Sequence, residues 1–143
     1  MPSVNVEGCP VILLTSTGGL GYEWQSGVIA AVWRSGVIVR ADSAKRPWGA
    51  HRIGRLSDAD LADLIELVNA SWTSSSDMGM VAIDDGDHNL TLRRESQVRS
   101  WAETPGVTST ATVAQFRTKL LAVPLPQPSR ATGSFDDIWG CLQ

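Results

Sequence analysis

The sequence predicts an α+β fold: a single domain whose mostly antiparallel sheet of about five strands carries two helices on one face, followed by a Pro-rich C-terminal strap. Three observations predict it. Short β-branched and apolar blocks at residues 11–16, 28–34 and 37–40 are separated by Gly-containing links, which reads as strands rather than helices. Asp58–Ser71 spaces its apolar residues as one helical stripe. The chain's 143 residues, 43% hydrophobic with a net charge of −3, suffice for one core and carry too little charge for a disordered tail.

Residues 1–10 read as an N-terminal arm, 11–123 as the domain and 124–143 as the tail. The first strand runs into Thr17-Gly18-Gly19-Leu20-Gly21-Tyr22, whose glycines permit a sharp reversal, so a surface loop is expected. Ser35-Gly36 links the next two blocks as an antiparallel hairpin, which makes a three-strand meander. After a loop at 41–49, a short strand is expected around His51 to Ile53.

For the first helix, Ser57 is the N-cap, with Asp60 three residues on, and Leu56 and Leu61 form a hydrophobic staple. Leu61, Leu64, Ile65 and Val68 face the core, while Asp58, Asp60, Asp63 and Glu66 take other faces and suit the positive end of the helix dipole. Asp85-Gly86 reads as the centre of a type I′ hairpin. That register pairs Ile83 with His88, Val81 with Leu90 and Gly79 with Leu92, and it separates apolar from polar sets. The strand then resumes through Gln97 to Trp101. A T-x-x-Q capping box at Thr112 and Gln115 starts the second helix, with Val113, Phe116 and Leu120 as its apolar face. Pro124, Pro126 and Pro128 end it by Val123. The tail reads as an extended strap whose Phe135, Ile138 and Trp139 either dock on the body or await a partner.

The start of the chain lacks a basic region followed by an apolar segment, so a cytoplasmic protein is expected. Cys9 and Cys141 stand near opposite ends and fit no CxxC site or disulfide-dense scaffold; they read as two free thiols, with a terminus-to-terminus disulfide as the lesser alternative. No apolar run approaches the roughly 18 residues of a membrane span. Ten of the twelve basic residues are Arg, a bias common in G+C-rich bacteria.

Charge is unevenly placed. Residues 34–55 hold six bases (Arg34, Arg40, Lys45, Arg46, Arg52, Arg55) against Asp42, whereas residues 57–87 hold eight acids and no base. With Trp33 and Trp48 nearby, the basic stretch is the alternative reading, a nucleic-acid surface. The chain's overall acidity and its lack of a recognition motif point away from that partner. Asp84, Asp85 and Asp87 crowd one turn but lack EF-hand spacing, so no metal is predicted. Gly18, Gly19 and Gly21 lack a P-loop's ending, and Trp24 stands where G-x-G-x-x-G needs its last Gly, so no nucleotide cofactor is predicted. His51 and His88 are the only imidazoles and no G-x-S-x-G elbow exists, so no catalytic residue emerges. An enzyme using scattered carboxylates is the third reading.

The six Trp residues read mostly as core or edge fillers. Trp24 and Trp48 sit in loop contexts and are the candidate anchors for a partner. The sequence therefore predicts a non-enzymatic protein-interaction module, without cofactor, metal or membrane. Its partner-binding residues are Gly18, Gly19, Leu20, Gly21, Tyr22, Trp24 and Trp48.

The order of parts also resembles a family. Thr17-Gly18-Gly19-Leu20 after the first strand, the helical run from Leu56 through Leu67 and the hairpin about Asp85-Gly86 resemble the emfourin-like family of small bacterial α+β proteins. The resemblance spans residues 11–123. It implies a binder that inhibits thermolysin-like metalloproteases by steric block, and it carries no particular inhibitory residue onto this chain.

Overall fold

The central strands of this chain have no polar side. Every position of Gly27–Val32 is buried, and Ile12, Leu13 and Leu14 are each at most 1% exposed, the pattern of strands covered on both faces. The computed structural model describes residues 8–16, 27–41, 51–72, 88–103, 111–123, 125 and 129–131. Their elements are β1 (Ile12–Ser16), β2 (Gly27–Val32), β3 (Val37–Ala41), β4 (His51–Arg55), α1 (Asp58–Ser71), β5 (His88–Arg94), β6 (Gln97–Glu103), α2 (Ala111–Ala122) and β7 (Ser129–Ala131). The fold is α+β. Six strands lie in the order β6-β5-β1-β2-β3-β4, every neighbouring pair antiparallel, and the three-residue β7 adds to the outer edge of β4. The sheet is thus wider than the five strands expected.

The β2–β3 link behaves as its residues dictate. Gly36 N–H donates to Trp33 O and Trp33 N–H to Val37 O, both at 2.9 Å. Gly36 takes φ 95, so the three-residue loop is a tight turn closed by a left-handed glycine. Leu61 Cδ2 and Leu56 O approach this glycine, which brings the start of α1 against the hairpin.

The hairpin expected about Asp85-Gly86 is corrected by the sheet. A strand has two edges, and both edges of β5 are occupied. Leu90 stands opposite Leu14 and Trp101, and Leu92 opposite Ile12 and Arg99, so Val81 and Gly79 cannot pair with them. Asp85 and Gly86 themselves lie outside the described residues. The hairpin that forms is β5–β6, turning at Glu95-Ser96 between paired Arg94 and Gln97. Glu95 adopts φ 54, a left-handed conformation that costs a residue with a Cβ about 1–2 kcal/mol. Glu95→Gly is accordingly expected to stabilise the protein by about 0.5–1 kcal/mol after the extra entropy of the unfolded glycine is deducted. Urea unfolding would read this as a raised midpoint, and a lowered midpoint would contradict it.

Both helices cover the same sheet face. Leu64 and Val68 of α1 and Val113, Phe116 and Leu120 of α2 join Ile12, Leu14, Val32, Ile38, Leu90 and Leu92 in one buried cluster. Trp101, 1% exposed, completes it, although its indole N–H is buried without an acceptor. Leaving that donor unmade costs about 1–3 kcal/mol, a loss that burial of the large ring offsets. On the opposite face Leu13, Val28, Ala31, Trp33, Val37, Val39 and Ile53 form a second buried cluster.

The helix ends follow local chemistry. Ser57, extended at φ −64 and ψ 157, accepts from Asp60 N–H at 3.1 Å, the N-cap its position predicts. α2 begins at Ala111, so Thr112 lies within the first turn and is not the N-cap. At the far end of α2, the Arg40 guanidinium donates through Nη1 to Leu120 O, Leu121 O and Val123 O at 3.1, 3.3 and 2.8 Å. These are carbonyls that a helix terminus leaves unmatched. Burial lowers the Arg40 pKa from its ordinary value, and Arg52 beside it lowers it further.

Beyond α2, Leu125 packs over Gly54, where an added Cβ would lie 3.0 Å from Leu125 Cδ2. A piece of the tail therefore belongs to the body. Cys9 is disulfide-bonded, which corrects the expectation of free thiols.

Candidate functional site

The outer flank of α1, the β2–β3 turn and the β5–β6 turn enclose an open cleft of about 670 Å³. Helical spacing in α1 puts Leu61, Ile65 and Val68 toward it, and Val11, just before β1, adds to this apolar lining. Charge arrives from both sides. α1 contributes Asp58 and Glu66, while the turns contribute Arg34, Arg93, Arg94 and Glu95. The Arg94 guanidinium lies 5.2 Å from the centroid of the Trp72 ring, a cation–π contact that orients it. No lining residue is a hydroxyl, thiol or imidazole. The cleft therefore offers apolar contact and charges of both signs.

The two imidazoles sit elsewhere. His51, 9% exposed, places Nε2 2.7 Å from Val28 O. A carbonyl only accepts, so that nitrogen carries the proton. Arg117 Nη1 donates to His88 Nδ1 at 3.0 Å, which leaves Nδ1 as the acceptor and ties β5 to α2. Among the described residues no group of three or more His, Cys, Asp or Glu is placed to hold a metal ion. Among them, too, no helix is long and apolar enough to cross a membrane.

The partner-binding residues expected from sequence, Gly18, Gly19, Leu20, Gly21, Tyr22, Trp24 and Trp48, lie outside the described residues, as do Asp84, Asp85 and Asp87. Arg40 caps α2, Arg55 donates to Ser35 O at 3.2 Å, and Arg34 lines the cleft. Sequence reasoning did not single out Arg93 and Arg94. Two consecutive arginines at a strand end were visible, but their place beside α1 depends on where β5 turns.

Comparison with known protein families, with curated proteins and with solved structures gives no match to this chain.

Proposed function

We propose that the protein is a small protein-interaction module that seats a partner polypeptide in the cleft between α1 and the two hairpin turns. The observation that carries this reading is the lining itself: five apolar residues, Val11, Leu61, Ala62, Ile65 and Val68, flanked by Asp58 and Glu66 on one side and by Arg34, Arg93, Arg94 and Glu95 on the other. Apolar burial supplies the driving force for association, and paired charges set register and exclude wrong partners. The resemblance to the emfourin-like family suggests one version, in which the partner is a thermolysin-like metalloprotease. The Cys9 disulfide favours an oxidising compartment over the cytoplasm, where thiols are kept reduced.

Selection of a displayed random-peptide library against the folded protein tests the general reading. Apolar sequences flanked by charges should be enriched, and Ile65→Asp or Arg94→Glu should weaken their binding about tenfold or more. Peptides that bind both variants as well as the parent would discard the cleft. The protease version is tested separately, by the rate of peptide cleavage by thermolysin with stoichiometric protein. An unchanged rate removes it. Affinity for mixed oligonucleotides that falls steeply with salt would instead favour the nucleic-acid alternative.

A further inference from the structure

The cleft follows the axis of α1. Asp58, Leu61, Ala62, Ile65, Glu66 and Asn69 line it at positions i, i+3, i+4, i+7, i+8 and i+11, which is one flank of the helix for about three turns, roughly 17 Å. Leu61 and Ile65 are half-buried at the margin of the core, so part of each is left for a partner. Ala62 between them is exposed and ends at its Cβ, which lets a second rod lie close along α1.

A polypeptide can enter such a cleft extended or as a helix, and the backbone around it separates the two. An extended segment needs a strand edge to take up its N–H and C=O groups. Among the described residues the cleft offers no such edge. On its floor, Val11 N–H already donates to Val32 O at 2.8 Å, and Val11 O already accepts Arg93 N–H at 3.0 Å. Arg93 and Arg94 are paired with Val98 and Gln97, and α1 spends its peptide groups along its own axis. A helix arrives with its backbone groups already matched. Charge adds the orientation. The α1 wall carries Asp58 and Glu66 and α1 contains no base, whereas the opposite wall sets Arg34, Arg93 and Arg94 against Glu95 alone. Arg34 belongs to the turn whose Gly36 meets Leu61, and Arg94 lies over Trp72 just past the end of α1. Positive charge therefore stands beside both ends of the stripe.

We infer that, given the partner-binding role proposed above for the cleft, its occupant is an amphipathic helix of a partner protein, about three turns long and lying along α1. That helix carries apolar residues three and four apart, basic side chains on the flank that meets α1 and acidic side chains on the flank that meets the arginines. The apolar stripe drives association, and the mixed flanks reject helices of uniform charge.

Fluorescence anisotropy of labelled peptides of about 14 residues with the full-length protein tests it. All the peptides share one leucine stripe. The first has Lys on one flank and Glu on the other, the second Lys on both, the third Glu on both, and the fourth is the first with a central proline. The first should bind about tenfold more tightly than each of the others and should shift the methyl resonances of Leu61 and Ile65. With Arg34→Glu and Arg94→Glu combined, both at exposed positions, the peptide with Lys on both flanks should become the tightest. Equal binding at these methyls with and without the proline overturns the helix and leaves the cleft a partner site. Equal binding whatever the flanks overturns the assigned charge. If no peptide moves these methyls, the cleft reading falls with the inference. A free protein that is a dimer, and that Ile65→Asp makes a monomer, puts a second copy in the cleft and overturns the inference as well.

Discussion

Phe116→Ala is expected to destabilise the protein by about 3–5 kcal/mol, the range for removing a fully buried aromatic side chain. Phe116 is 0% exposed, and Val113 three residues before it and Leu120 four after it are also fully buried. All three therefore form one helical stripe on the sheet. α2 lies over β5 and β6, so the ring fills space against Leu90, Leu92 and Trp101. The alanine variant loses both the transfer free energy of the ring and the contacts of everything lining the hole. A domain of this size has roughly 5–15 kcal/mol in total, so the variant should sit near the edge of folding at 37 °C. Urea unfolding with an unchanged m-value measures the loss. A loss under 1 kcal/mol would mean that α2 is not seated on the sheet.

Arg40→Met is expected to cost about 2–3 kcal/mol, and to cost it in one place. The guanidinium, carried by β3, holds three carbonyls at the C-terminus of α2. Hydrogen bonds from a charged donor contribute about 1.5–3 kcal/mol each when fully buried. Here one of the three is exposed, the other two are part-buried and all share one nitrogen, so the sum is discounted toward the lower figure. A cation at a helix C-terminus also opposes the negative end of the dipole. Met keeps the length and apolar stem of Arg, so lost packing is small. Hydrogen exchange should accelerate in the last turn of α2 while β1 and β2 stay protected. Arg40→Lys, which keeps the charge at the end of the helix, should recover part of the loss. Uniform acceleration across the sheet would show that Arg40 supports the core rather than the helix end.

Much of the fold was legible because its signals are local. Ser57 caps α1 through a bond to a residue three away, and the Leu64–Val68 stripe needs only helical periodicity. The β2–β3 hairpin follows from one glycine able to take φ 95. The register about Asp85-Gly86 failed for a non-local reason. Alternation of apolar and polar residues says that a strand has two faces, but not which neighbours occupy its two edges. β5 finds its partners in β1, more than seventy residues earlier in the chain, and in β6. The turn that forms uses Glu95, a residue with no glycine-like signature. The T-x-x-Q box at Thr112 failed by one residue, since α2 already includes Ala111.

The cleft was less legible than the fold. Its apolar residues belong to the α1 stripe and read as core. Its arginines come from two separate turns, Arg34 from one and Arg93 and Arg94 from the other. Nothing in the spacing of the chain announces that these turns meet beside one helix. Arg40 shows the same gap from the other side. It read as part of a basic surface, and only the packing of α2 over the sheet turns it into a helix cap.

The sequence by itself determined the class of the fold, the bounds of α1 and the strand blocks of the meander, because hydrophobic period, caps and turn residues act within a few positions of one another. The tertiary structure alone decided the strand order, the second buried face, the pairing of β7 with β4 and the convergence of charge around α1. Each of these depends on which distant segments share an edge or a face, and the free energy that selects among such pairings comes from the whole apolar surface removed from water at once.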